Sequence, residues 1–125
     1  MGVGLGIDVV NIARIKALSE GVRRRIFHPD ELAYADGMGS EAAAEYLAGR
    51  FAAKEALGKA LGCGVAALVP KSVLVERTES GKPAFVLEGR AKALVGSAQI
   101  ELSISHDDPV AVAVVLLVGG THGPQ

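Results

Sequence analysis

Four charged side chains stand inside a run that otherwise reads as a buried helix: Arg50, Lys54, Glu55 and Lys59, within Arg50-Phe51-Ala52-Ala53-Lys54-Glu55-Ala56-Leu57-Gly58-Lys59. At about 100° per residue, Leu47, Phe51, Gly58 and Leu61 form one apolar stripe, and Lys54 falls inside it. Glu55 lies just off the stripe's edge beside Phe51, and Lys59 follows it by one turn. A helix that only had to pack would not place an ammonium there, because a buried unpaired charge is strongly destabilising. The stripe is built to hold charge at a site. Taken alone, Glu55 and Lys59 are also an ordinary i,i+4 surface pair worth about 0.3–0.5 kcal/mol.

Two other segments carry polar groups at odds with their surroundings. Asp8 shares one side of a strand with Gly4 and Gly6; by itself it reads equally as a turn acid or a helix cap. In Ser103-Ile104-Ser105-His106, the inward parity of Ile100, Leu102 and Ile104 extends to His106, where a satisfied core histidine is the plain alternative. Together the three segments suggest a polyphosphate site. Two carboxylates from separate elements can hold Mg²⁺ and leave its other positions to water and phosphate oxygens. Lysine and histidine nearby would meet the rest of the phosphates. The chain has neither a Gly-x-x-x-x-Gly-Lys-Ser/Thr loop nor a Gly-x-Gly-x-x-Gly leading into a helix, so neither common nucleotide fold is expected.

The elements that must position these groups follow from pattern. Val3, Leu5, Ile7 and Val9 share one side of a first strand, and Gly4, Gly6, Asp8 and Val10 the other. The two glycines leave room for a helix or ligand to approach closely. Asn11 caps a helix expected to run to Glu20 and to end at Gly21, with another turn or two over 22–27. Pro29 opens a helix to Asp36, and Ser40 caps a long one that runs to about Leu61, stopped by Gly62-Cys63-Gly64. Beyond Pro70 the pattern turns to strands. Residues 72–77 and 84–88 flank a hairpin loop, 89–95 form a short helix, and 99–106 and 110–118 form a second hairpin around Asp107-Asp108. Helices in the first half and antiparallel strands in the second predict an α+β domain over residues 1–118, with 119–125 as a flexible Gly/Pro-rich tail.

At 125 residues there is room for one domain with a real core. Half of the residues are hydrophobic, yet no apolar run reaches the length of a membrane span, and the N-terminus lacks the basic start of a signal peptide. One cysteine, Cys63, excludes an internal disulfide and fits a cytoplasmic setting. The net charge of −1 and the lack of tryptophan argue against nucleic acid as a partner. Residues 1–29, however, carry five basic side chains (Arg14, Lys16, Arg23, Arg24 and Arg25) against Asp8 and Glu20, a local charge of +3. Such a patch is either a solvated face or a docking surface for an acidic partner.

Gly6-Ile7-Asp8, the run from Arg50 to Gly62, Gly81-Lys82-Pro83 and Ser103-Ile104-Ser105-His106 occur in that order, and Arg14 and Arg25-Ile26-Phe27 with Glu31 precede the long helix. In these motifs, over about residues 2–118, the chain resembles the holo-(acyl-carrier-protein) synthase family of small bacterial 4′-phosphopantetheinyl transferases. The resemblance implies an antiparallel sheet packed on a long central helix. It also implies transfer of 4′-phosphopantetheine from coenzyme A to a serine of apo acyl-carrier protein, releasing adenosine 3′,5′-bisphosphate.

Under that resemblance Asp8 and Glu55 hold Mg²⁺ or Mn²⁺, and Glu55, or a water it holds, is the base for the serine. Lys59 and His106 meet the pyrophosphate, and Lys54 supports the acidic pair. Gly81 and Pro83 shape the adenosine pocket. Basic residues expected before the long helix for the 3′-phosphate are replaced by Gly39-Ser40-Glu41-Ala42-Ala43-Ala44-Glu45, which leaves that contact to Arg50 and Lys82. Arg14, Arg23, Arg24 and Arg25 would grip the carrier protein.

A homotrimer with sites shared between neighbours is also implied, and would occupy Val112, Val114, Leu116 and Leu117; burial in a compact monomer explains the same residues. Two other classes stay open on the residues alone. One is an adaptor for acidic proteins; the other is a Mg²⁺-dependent phosphohydrolase that uses water as nucleophile.

Overall fold

In β1 (Val3–Asn11) every second residue faces inward, and the first two inward residues are glycines. A computed structural model describes residues 2–123 and shows what that parity serves. A long helix, α4 (Ser40–Leu61), lies directly on the glycine face of β1. A Cβ at Gly6 would sit 2.0 Å from the Ala56 carbonyl oxygen, and one at Gly4 would sit 2.3 Å from that of Ala60. Only glycine permits this approach, and the helix answers with alanines: Ala44, Ala48, Ala52, Ala53, Ala56 and Ala60 are all buried.

β1 pairs antiparallel with β5 (Val110–Val118), and β5 with β4 (Gln99–Asp107), giving a three-stranded sheet in the order β1-β5-β4. Asp8 lies opposite Ala113, which in turn lies opposite Ile104. The sheet's inner face and α4 enclose a core that includes Leu47, Leu57, Val115 and Leu117, each worth about 1.5–3 kcal/mol when fully buried. β2 (Leu74–Arg77) and β3 (Pro83–Val86) form a separate antiparallel hairpin, whose loop turns at Gly81 with φ of 87°. α5 (Gly89–Val95) leads into β4. The α+β reading, with an antiparallel sheet packed on a long central helix, is what the chain adopts.

Some boundaries differ from expectation. Asn11 caps a helix, its side chain accepting from the Ala13 amide, but this helix, α1 (Ile12–Lys16), is short. Ser19 accepts from the Val22 amide and starts α2 (Glu20–Ile26), so Gly21 lies inside a helix rather than ending one. A serine hydroxyl that competes for backbone amides makes a new helix start where periodicity alone reads continuation. α3 (Pro29–Asp36) begins as expected, with Glu31 accepting from the His28 amide at 2.9 Å. Gly39, not Ser40, occupies the cap position of α4, without a side-chain bond, and Gly62 ends that helix in the left-handed region.

Residues 119–123, expected as part of a free tail, turn back on the fold. Gly119 donates to the Gly2 carbonyl and Gly123 to that of Leu94, at the end of α5. The rest of the expected tail, 124–125, lies outside the described residues.

Candidate active site

The polar residues singled out from the sequence gather in two places. The first is the junction of α4 and β1. Beyond Gly4 and Gly6, the inward parity of β1 delivers Asp8 to the helix, where Glu55 and Lys59 stand one turn apart. The Lys59 ammonium donates to Asp8 Oδ1 and to the Ile7 carbonyl, both at 3.0 Å. Burial, and then the charge of Asp8, push the Glu55 carboxyl above its ordinary range, and Lys59 pulls it back. A carboxyl whose ionisation is opposed by a neighbouring carboxylate, beside one ammonium, belongs to a donor set that suits a divalent cation. Among the described residues no group of three or more His, Cys, Asp and Glu side chains is placed to hold a metal. An ion at Asp8 and Glu55 would therefore keep positions for water and substrate oxygens.

The second place is a cleft of about 890 Å³ between α4, the β2–β3 hairpin and the end of β4. Arg50, Gly81, Pro83 and His106 all line it, as expected. Tyr46 and Glu45, which sequence reasoning missed, line it too. The Arg50 guanidinium carbon lies 4.2 Å from the centre of the Tyr46 ring, a stacked cation, and its buried Nε has no hydrogen-bond partner among the described residues. The Tyr46 hydroxyl is pushed above its ordinary pKa, chiefly by burial. His106 closes β4 at the cleft rim, half exposed rather than in the core, with Nδ1 3.4 Å from Glu45 Oε2. The i,i+4 spacing from Tyr46 to Arg50 was the signal available in the sequence.

Asp8, Glu55 and Lys59 do not line this cleft, so a single chain holds the two groups of side chains apart.

Lys54 belongs to neither group, which corrects its expected roles at the coenzyme site and beside Asp8 and Glu55. Its ammonium is fully buried and bonds Glu31 Oε1 at 2.6 Å, the Pro70 carbonyl at 2.9 Å and the Ile26 carbonyl at 3.1 Å. The Lys54 side chain leaves α4 on the face toward α2 and α3, away from β1. Burial lowers its pKa, and the Glu31 charge pulls it back up. Lys82 is paired with Glu101 and does not line the cleft either.

The basic patch also divides. Arg23 is half-buried and reaches back to the Ile15 and Lys16 carbonyls at the end of α1, both at 3.4 Å. Lys16 pairs with Glu41, and Arg24 with Glu20. Arg14 and Arg25 are exposed and make no side-chain hydrogen bond or ion pair among the described residues.

Comparison with known proteins places this geometry in a family. Residues 4–115 match the model of the 4′-phosphopantetheinyl transferase superfamily. The chain is 39% identical over 124 residues to the holo-(acyl-carrier-protein) synthase of Treponema pallidum, covering 95% of this chain and 98% of that one. Among solved structures, a holo-(acyl-carrier-protein) synthase from Bacillus anthracis in complex with coenzyme A (3′,5′-ADP) superposes with a TM-score of 0.79 at 34% identity, covering 91% of this chain and 94% of that one. The Helicobacter pylori enzyme in complex with coenzyme A gives a TM-score of 0.74 at 29% identity, covering 91% and 99%. On the fold, the motifs and these likenesses, the chain belongs to the 4′-phosphopantetheinyl transferase superfamily, among the holo-(acyl-carrier-protein) synthases.

Proposed function

We propose how the two half-sites carry out the family's reaction. The chain transfers 4′-phosphopantetheine from coenzyme A to a serine of apo acyl-carrier protein. The observation that carries the site reading is the facing pair Asp8 and Glu55 with Lys59 between β1 and α4. Asp8 and Glu55 would hold Mg²⁺, with Mn²⁺ as an alternative. When bound, the ion supplies charge neutralisation on the pyrophosphate, the largest need in phosphoryl-type transfer.

Glu55, or a water it holds, would take the proton of the serine hydroxyl as its oxygen attacks phosphorus. The bond from that phosphorus to the bridging oxygen breaks, and adenosine 3′,5′-bisphosphate leaves. Lys59 meets the phosphates from the helix side. In the cleft, Arg50 offers its unpartnered Nε to an acceptor on the nucleotide, Gly81 and Pro83 bound the adenosine, and His106 reaches the pyrophosphate from the rim. Arg14 and Arg25 are the cations left free for the carrier protein, and Cys63 as a free thiol fits work in the cytoplasm. No helix among the described residues is long and apolar enough to cross a membrane.

We propose further that the enzyme is a homotrimer in which Asp8, Glu55 and Lys59 of one subunit face Arg50, Gly81, Pro83 and His106 of the next. The outer face of β1 and β5 supports this: Val3, Leu5, Ile7, Val9, Val114 and Val118 are exposed side by side, Leu5 to 67% and Ile7 to 55%. A continuous apolar sheet face of this kind marks an interface. Of the residues expected there, Val114 lies on this face, half-buried Val112 and Leu116 share its parity, and Leu117 faces the chain's own core.

Mass spectrometry of apo acyl-carrier protein incubated with coenzyme A and Mg²⁺ tests the reading. A phosphopantetheine mass gain on the serine is expected. Hydrolysed coenzyme A without a mass gain would make the protein a phosphohydrolase, and no change in either component would leave an adaptor.

A further inference from the structure

The Lys54–Glu31 pair is fully buried on both sides and completely used. Lys54 spends its three donors on Ile26 at the end of α2, on Pro70 in a turn, and on Glu31 in α3. Glu31 accepts from the His28 amide that starts α3 and, through its other oxygen, from the Val75 amide of β2 at 2.9 Å. One ion pair thus joins four segments that the sheet does not join, since β2 and β3 stand apart from β1-β5-β4. The turn it grips needs holding. Val69, just before Pro70, has φ of 52°, a conformation a β-branched residue keeps only when its surroundings impose it.

What hangs on these segments is functional. α2 carries the exposed Arg25, and β2 supplies Leu74 to Arg77 as one wall of the cleft, continued by Gly81 and Pro83. We propose that Lys54 and Glu31 are positioning residues for the transfer reaction: they touch neither substrate, and they fix the carrier-docking helix α2 and the coenzyme cleft wall β2 in one arrangement. This rests on the functional reading above. It also explains why a lysine stands in an apolar helix stripe: a hydrocarbon would fill the space but take a charged donor from the Ile26 carbonyl and from the Pro70 carbonyl, and would leave the latter only the Val73 amide at 3.1 Å.

The test is the volume-preserving variant Glu31→Gln in the full chain, read by amide exchange and by steady-state kinetics. Exchange at Val75 and at the end of α2 should accelerate by at least about tenfold, the loss of one charge-assisted bond, while the middle of α4 keeps its protection. KM should rise together for coenzyme A and for carrier protein, with kcat little changed. Lys54→Met should do the same. If it does not fold, the double variant Lys54→Met/Glu31→Gln removes both charges and carries the same measurements.

Unchanged exchange at Val75 would overturn the proposal, because the bond would then not be holding β2. So would a rise in KM for coenzyme A alone, a fall confined to kcat, or unchanged constants despite lost protection. The exchange result does not depend on activity, so a wild-type chain inactive as a transferase would count against the functional reading and leave the tie itself still measured.

Discussion

Lys59 donates to Asp8 at 3.0 Å across the junction of α4 and β1, and among the described residues it is the only ammonium bonded to that carboxylate. One cation is shared by two acids, Asp8 and Glu55, so the junction stays short of positive charge until something further binds. The predictions about the reacting half-site follow from this imbalance.

Glu55→Gln should lower kcat by about 10²–10⁴-fold, the usual contribution of a positioned general base, while the fold survives because the side chain is only half-buried. Asp8→Asn should instead raise the Mg²⁺ concentration needed for half-maximal transfer. Mass-spectrometric rates across a Mg²⁺ titration separate the two effects. Near-normal rates for Glu55→Gln would remove it as the base.

Metal-free protein should respond to pH through Glu55. Its folded pKa is raised, so the stabilising contribution of the protonated form is fully present below the ordinary carboxylate value and is lost as pH rises through the folded value. A divalent ion held by Asp8 and Glu55 would replace that proton. Adding Mg²⁺ should therefore raise Tm more at pH 8 than at pH 5, and Glu55→Gln should flatten the difference. Equal shifts at both pH values in the wild-type chain would mean that the ion binds elsewhere.

Arg50→Ala should weaken coenzyme A binding by about 1.5–3 kcal/mol, the worth of a hydrogen bond to a charged group, with little effect on kcat. Its buried Nε has no partner among the described residues, which leaves a donor on the stacked guanidinium for a ligand to use. Calorimetry with coenzyme A and with dephospho-coenzyme A would also show whether Arg50 reads the 3′-phosphate.

How much of this was legible beforehand depends on how local each cause is. The alternation in β1, the Pro29 and Gly62 signals and the hairpin turns are decided within a few residues, and the elements appear where those signals lie. Asp8, Glu55 and Lys59 were brought together by two periodicities that a sequence displays directly. Lys54 was misassigned because its burial could be read from the stripe but its partner could not: Glu31 is 23 residues away and meets it only when α3 folds against α4. The contacts of Arg23 were hidden for the same reason. Charge is visible in a sequence, whereas the backbone carbonyls that consume it are not.

The docking surface should rest on Arg14 and Arg25. Reversing either to Glu should raise KM for the acidic carrier protein far more than that for coenzyme A, and the wild-type rate should fall with salt, because exposed pairs are screened beyond about 8–10 Å. Arg23→Ala should act differently, lowering Tm through the carbonyls it leaves at the end of α1 while barely changing salt dependence. A change confined to coenzyme A kinetics in Arg14→Glu would move this face to the nucleotide site.

The proposed sharing of the site between subunits makes the sharpest prediction. If Asp8 of one subunit works with Arg50 of its neighbour, Asp8→Ala and Arg50→Ala chains should each be poor enzymes at limiting coenzyme A, yet active when dissociated, mixed and reassembled. In an equal mixture about a quarter of the interfaces in a cyclic trimer carry both intact residues, so about a quarter of wild-type activity should return. A site complete within one chain gives no recovery at any ratio. Ile7→Glu on the exposed sheet face should abolish both assembly and recovery, with sedimentation showing a folded single chain. An active monomer from that variant would return both half-sites to one subunit.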